Sequence, residues 1–182
     1  MKNNKQDFST AIRPYIPKIK QIALKLSGNS NDAKDLIQES LIKIYPVFFN
    51  LNPDKNIAAW IARVVYNTYI DHWRKQQSQN QLQVIDWQNS PELYRDMTTD
   101  ICPCLLLEMD EEQKRTTRAL YLLKNEYRVV IILHDIEGYT IKELAGIFSE
   151  PEGTIKTRLH RGRNKLKEIL NRCQVQKKEY VA

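Results

Sequence analysis

The side chains best placed to do chemistry crowd the run YTIKELAGIFSEPEGTIKTRLHRGR, Tyr139 to Arg163. Thr154, Lys156, Thr157, Arg158, His160, Arg161 and Arg163 follow one another there, with Lys165 just beyond. Their chemistry is non-covalent: cations suit phosphate oxygens, and guanidinium, hydroxyl and imidazole groups suit base edges. A covalent alternative would be a nuclease using Asp71, His72 and His134 or His160, but no compact set of carboxylates for a metal accompanies them. Cys102 and Cys104 flank Pro103 too closely for an unstrained bridge, and they lack further Cys or His at structural zinc spacing. With Cys173 they read as three reduced thiols. The sequence therefore calls for no catalytic residue, no metal and no cofactor.

Two short helices joined by a tight turn would present that basic run to a DNA groove. Thr140 followed by Glu143 fits a capping box at the start of the first helix. Ile141, Leu144, Ala145 and Phe148 then fall at helical spacing. Ser149, Glu150 and Pro151 form the turn, with Pro151 expected at the first helical position, where it sacrifices no hydrogen bond. Ile155, Leu159 and Leu166 face inward, which leaves the cations outside. The bland reading of the same residues is a solvated cationic helix end.

A second constellation lies in the front half. Pro14 to Leu26 reads as an amphipathic helix ending at Gly28, which tolerates the left-handed cap conformation. Asn29 to Asn31 are expected to turn, and a helix to begin at about Asp32 as its cap. Ala33, Leu36, Ile37, Leu41 and Ile44 point inward; Asp35, Gln38, Glu39 and Lys43 point out, a face that could simply be solvated. A third helix starts from an Asn56 cap and runs through Trp60, Ile61, Val64, Val65 and Thr68 toward His72 and Trp73. Its other face carries Arg63, Asn67, Asp71 and Arg74, beside Tyr66, Tyr69 and Lys75. Rings interleaved with cations and amides suit unstacked bases, which offer both a π face and hydrogen-bonding edges. Trp60 and Trp73 serve equally well as core fillers.

The whole chain supports an all-α protein of two small helical domains. Its 182 residues hold 28 basic and 22 acidic side chains, a net charge of +6 that attracts a polyanion. Charge is segregated: Asp96, Asp100, Glu108, Asp110, Glu111 and Glu112 have no cation among them, whereas Thr154 to Lys178 is basic apart from Glu168. Residues 1–78 read as a helical domain, 79–103 as a flexible linker rich in Gln and Asn and acidic toward its end, and 104–182 as the helix-turn-helix domain. No apolar run is long enough to cross a bilayer, and Met1 to Thr10 lacks the apolar stretch of a secretory signal, so a cytoplasmic protein is expected.

Several blocks, in order, resemble the sigma factors of bacterial RNA polymerase, of the extracytoplasmic-function group of the sigma-70 family. In front stand Asp32-Ala33-Lys34-Asp35-Leu36-Ile37-Gln38-Glu39, Asn56-Ile57-Ala58-Ala59-Trp60-Ile61-Ala62-Arg63, and Asn67-Thr68-Tyr69-Ile70-Asp71-His72-Trp73-Arg74. Behind stand Glu126-Tyr127-Arg128, Asp135 to Ala145, and Gly153-Thr154-Ile155-Lys156-Thr157-Arg158-Leu159-His160-Arg161.

The resemblance implies a non-enzymatic factor that binds core RNA polymerase and directs promoter-specific initiation. Asp35, Gln38 and Glu39 would contact polymerase. Trp60, Arg63, Tyr66, Asn67, Asp71, Arg74 and Lys75 would capture the melted minus-ten element. Thr154, Lys156, Thr157, Arg158, His160, Arg161 and Arg163 would read the minus-thirty-five duplex. An acidic connector would thread toward the RNA exit path. The resemblance also implies an anti-sigma partner, which can hold such a factor at the inner face of the membrane, with no membrane insertion and no small-molecule substrate. The competing reading is a stand-alone helix-turn-helix regulator, but the front half offers neither a ligand pocket nor a heptad seam.

Three departures from the family pattern carry expectations. Lys124 stands where proline is common, so Asn125 is expected to cap the next helix. Ser149 and Glu150 replace a glycine and an aliphatic residue, leaving Phe148 to cover the gap. Gly162 should cost its helix about 1 kcal/mol and let it fray beyond that point.

Overall fold

The computed structural model describes residues 3–51, 56–79, 101, 106 and 109–179, all helices and connections, with no strand among the described residues. The chain falls into two compact units, one built on helices before residue 80 and one on helices after residue 110. The all-α expectation holds. Nearly all of the expected linker over 79–103, with Cys102 and Cys104, lies outside the described residues.

The first unit contains α1 (Asn3–Ile12), α2 (Ile16–Ser27), α3 (Ser30–Ile44) and α4 (Ile57–Gln79). Ile19, Ile22, Ala23 and Leu26 of α2 interlock with Ala33, Leu36 and Ile44 of α3 and with Ile61, Ala62 and Val65 of α4, all buried. Alpha1 was not foreseen, since its sequence is polar; Ile12, at its end, is buried. As expected, Gly28 ends α2 in the left-handed conformation, φ 70°. The cap of α3, however, is Asn29 rather than Asp32. Its Oδ1 accepts from the amides of Asn31 at 2.8 Å and Asp32 at 3.4 Å, so Ser30 and Asn31 are already helical. Asp32 instead places its charge in the first turn, where the helix dipole favours it. Asn56 caps α4 as read, accepting from the Ala59 amide at 3.1 Å. Alpha4 also takes in Gln79, which had read as the first residue of the linker.

The second unit contains α5 (Glu111–Tyr121), α6 (Asn125–Ile131), α7 (Ile141–Phe148) and α8 (Glu152–Glu179). Asp110 and Gln113 close a reciprocal capping box at the head of α5. Asp110, Glu111 and Glu112, at the end of the acidic stretch, thus serve a helix start. Asn125 does not cap α6. The cap position is Lys124, without a side-chain bond, and Asn125 Oδ1 accepts from Arg128 Nη2 at 3.0 Å. Arg128 in turn lies 5.2 Å over the Tyr121 ring. Alpha6 leaves through a widened π turn, Ile132–Ile136, in which the Glu137 amide bonds Ile132 O at 2.9 Å. Gly138, at φ 79°, then reverses the chain.

Alpha8 does not fray after Gly162; it continues to Glu179. Gly162 is buried where α8 crosses α6, and a Cβ there would sit 3.1 Å from Ile131 Cδ1 and 3.2 Å from Tyr127 Cβ. The missing side chain lets the two helices approach, and that packing offsets the propensity cost.

Candidate nucleic-acid and polymerase-binding faces

The helix-turn-helix is fixed at both ends by local bonds. The Thr140 amide donates to Glu143 Oε2 at 2.8 Å, and the Glu143 amide donates to Thr140 Oγ1 at 3.2 Å, so the expected capping box forms. Tyr139, just before it, is buried. That burial, with the carboxylates of Glu137 and Glu143 nearby, pushes its hydroxyl up to about 12, so it stays neutral. Ser149 adopts φ 57°, the left-handed conformation that glycine would take without strain. Pro151 precedes the first helical residue instead of occupying it, and its carbonyl accepts from the Thr154 and Ile155 amides at 3.0 and 3.2 Å.

Ile155 and Leu159 are buried and Leu166 is half-buried, so α8 points its other faces outward. Gly153, Thr154, Lys156, Thr157, His160, Arg161 and Arg163 are exposed. An open recess of about 380 Å³ is lined by Glu126, Tyr127, Gly153, Thr154, Thr157, Arg158 and Arg161. Two of the expected DNA-reading arginines have internal partners. Arg158 pairs with Glu150 at 2.8 Å and is only half exposed, so the residue replacing an aliphatic side chain in the turn braces the helix by charge. Arg163 donates through Nε to Asp135 Oδ2 at 3.0 Å and through Nη2 to Oδ1. Burial raises the Asp135 carboxyl, but its bonds to Arg163 and His134 outweigh that and hold it below its usual value. Sequence reading missed both pairs.

In the first unit, Asp35 and Gln38 of α3 are exposed, and Ile42, one turn beyond Gln38, is 72% exposed. Spacing of three and four puts these three on one stripe. Tyr45, Val47 and Phe49 extend it with further exposed apolar surface. Behind them Phe8 packs edge-on to Tyr45, Phe48 and Phe49 at ring separations of 5.0, 5.5 and 6.4 Å. The sequence signal was the run Tyr45-Pro46-Val47-Phe48-Phe49, too short to show a period.

Glu39 lies on a different stripe of α3, turned toward α4. It accepts from His72 Nε2 and from Lys43 Nζ, the latter at 2.9 Å, and Lys43 Nζ also reaches Asp71 Oδ2 at 3.4 Å. The His72 hydrogen bond first, then that of Lys43, lowers the Glu39 carboxyl to about 2. Burial works against the Lys43 charge, but its two carboxylate partners still raise its pKa. Arg63, Asn67, Asp71, Arg74 and Lys75 are exposed along α4, with Tyr66 and Trp60 half-buried. Tyr69, expected beside them, is instead buried at 6% exposure and belongs to the core. Thr68 donates to Val64 O at 2.9 Å and is buried too.

Among the described residues, no group of three or more His, Cys, Asp or Glu could hold a metal ion, and no helix is long and apolar enough to cross a membrane. The Sigma-70 region 2 family matches residues 11–79, and the Sigma-70 region 4 family matches residues 105–166. The ECF RNA polymerase sigma factor SigW of Bacillus subtilis is 28% identical over 171 residues, covering 93% of this chain and 91% of its own. EcfG of Rhodopseudomonas palustris, another ECF RNA polymerase sigma factor, is 30% identical over 155 residues, covering 85% and 80%. The fold matches the sigma factor RpoE solved with the anti-sigma factor NepR from Bartonella quintana, at a TM-score of 0.68 and 23% identity, over 91% of this chain and 98% of that one. It also matches CnrH, solved with the cytosolic domain of CnrY, at 0.62 and 20% identity, over 93% and 91%. The chain belongs to the extracytoplasmic-function group of the sigma-70 family of RNA polymerase sigma factors.

Proposed function

We propose that this sigma factor binds core RNA polymerase through the outer stripe of α3 and directs initiation by holding two promoter elements at once. The observation that carries the reading is the presence, on one chain and in order, of a region 2 module and a region 4 module. Each presents an exposed face suited to nucleic acid. Residues 1–78 and 104–182 act as the two modules, joined through 79–103.

Asp35 and Gln38, with Ile42 and the apolar surface reaching Phe49, form the polymerase-docking surface. Polar groups there set register while apolar area supplies adhesion. Trp60, Arg63, Tyr66, Asn67, Asp71, Arg74 and Lys75 receive the melted minus-ten strand. A pocket that captures an extruded base recovers part of the few kcal/mol, roughly, lost on unstacking it, with no covalent step. Thr154, Lys156, Thr157, His160 and Arg161 meet the minus-thirty-five duplex directly, while Arg158 and Arg163 hold the helix that presents them. Neither module has to bind strongly, because polymerase raises the effective concentration of the second once the first is engaged. An anti-sigma partner, of the kind solved with RpoE, would act by covering one of these faces.

The test is co-purification of the full chain with core polymerase, comparing wild type with Gln38→Ala/Ile42→Ser. Retention of wild type and loss of the variant, with duplex binding unaffected, is the expected result. Equal retention of both would remove α3 from the polymerase contact.

A further inference from the structure

Glu150 stands in the turn between α7 and α8, and its amide donates to Ala145 O at 3.1 Å, which ties its backbone to α7. Its carboxylate reaches α8: Arg158 Nη2 lies 2.8 Å from Oε2 and donates to Oε1 at 3.1 Å. The Arg158 side chain is 19% exposed. Spacing of four and three nevertheless sets Thr154, Arg158 and Arg161 on one ridge of α8, and all three line the open recess at the head of that helix. Thr154 and Arg161 are exposed. A phosphate drawn to Arg161 thus finds a second guanidinium beside it, already engaged by a carboxylate. An aliphatic side chain at position 150 would leave that guanidinium to the phosphate.

We propose that Glu150 is a specificity-determining residue that withholds Arg158 from the phosphate backbone and so limits sequence-independent binding of duplex DNA. Phosphate contacts hold a protein on any duplex, whereas base contacts discriminate between sequences. The Glu150–Arg158 pair removes a contact of the first kind. It leaves Lys156 and His160, exposed on another ridge of α8, free of that restraint. A chain that adheres less to bulk DNA is drawn off less by the vast excess of competing sites, and engages duplex where polymerase brings it. The inference rests on the proposed contact of α8 with duplex.

The experiment measures fluorescence anisotropy of a labelled random-sequence duplex against the full chain over a series of salt concentrations. Glu150→Gln should tighten binding about fivefold at low salt and steepen the salt slope by about 0.9, the signature of one added phosphate contact. Glu152→Gln, which removes the same charge from the exposed first turn of α8, should tighten binding less than about twofold. In an Arg158→Met background the gain from Glu150→Gln should fall below about twofold, because no guanidinium remains to be released. If circular dichroism shows that Glu150→Gln unfolds the second unit, Glu150→Leu carries the same expectation. Transcription from a promoter pool should follow suit: polymerase with Glu150→Gln should be halved by about fivefold less random competitor duplex than polymerase with wild type. Binding that is unchanged or weaker in a folded Glu150 variant, a gain that persists without Arg158, or equal sensitivity to competitor would overturn the proposal. If Lys156→Ala leaves affinity and slope unchanged, the duplex contact of α8 itself is overturned.

Discussion

Alpha3 and α8 both display charge on a helix whose other side builds a core, yet they anchor that charge differently. On α8 the residues nearest the turn are exposed, and the two arginines with internal partners, Arg158 and Arg163, reach back to Glu150 and Asp135 within the same module. Their ion pairs brace the presenting helix and leave Lys156, Thr157, His160 and Arg161 outside the bracing. On α3 the charged residues divide lengthwise. One stripe is left to solvent and continues into exposed apolar surface, while the other, Glu39 and Lys43, is bonded to α4. A module that reads duplex DNA needs a rigid platform with independent side chains. On the proposed assignment, a module that meets polymerase through α3 and DNA through α4 gains from a tie between them.

The sharpest challenge to this contrast is core truncation against surface truncation on α8. Ile155→Ala should cost about 2–5 kcal/mol, because Ile155 is fully buried. Lys156→Ala beside it should leave the melting temperature nearly unchanged yet weaken duplex binding, lowering the salt slope by about 0.9. Calorimetry and fluorescence titration separate the two; a stability loss in both would mean that the reading side chains also carry the platform.

Gly162→Val tests the platform from its other side. Crowding Ile131 and Tyr127 should destabilise the second unit by about 1–3 kcal/mol, seen as faster hydrogen exchange in α6 and α8 while α2 to α4 keep their protection. Smaller effects belong to the turn. Thr140→Ala should cost about 1 kcal/mol by opening the capping box. Ser149→Gly should give a net gain of at most roughly 1 kcal/mol by relieving the left-handed serine. Denaturant midpoints measure both.

The smallest effect is expected in the first unit, on acidification. The folded Glu39 carboxyl, at about 2, lies below its ordinary value of 4.5. Its contribution is therefore fully present above about 4.5 and disappears as pH falls toward about 2. Because the group is one-third exposed, the effect is modest. Glu39→Gln should flatten the acid limb of the first unit's unfolding between those values, and an unchanged limb would show that the bonds from His72 and Lys43 contribute nothing there.

What could be read from the sequence was what is decided within a few residues. The Thr140–Glu143 box, the Gly28 terminator and the Asn56 cap each depend on neighbours three or four positions away, and each formed. Asp32 was read as the cap where Asn29 is, because either side chain can accept from the amides ahead and both lie within a few residues of the helix start. Gly162 misled for a plain reason: helix propensity counts its cost, whereas its benefit lies in Tyr127 and Ile131, more than thirty positions back. Glu39–His72 and Arg163–Asp135 span 33 and 28 residues, so nothing local announced them. Tyr69 was misplaced for a related reason, since an aromatic on the boundary of a helical stripe is turned in or out by the packing of α2 and α3 against α4.

The central claim is that two helical modules on one chain select a promoter only together, on polymerase. It is tested most directly by in-vitro transcription with purified core polymerase and a pool of promoters. Transcripts should start downstream of templates sharing two elements at fixed spacing, and should be lost on Lys156→Ala/Arg161→Ala and on Gln38→Ala/Ile42→Ser alike. Initiation that survives either substitution, or no initiation from any template, would contradict the account.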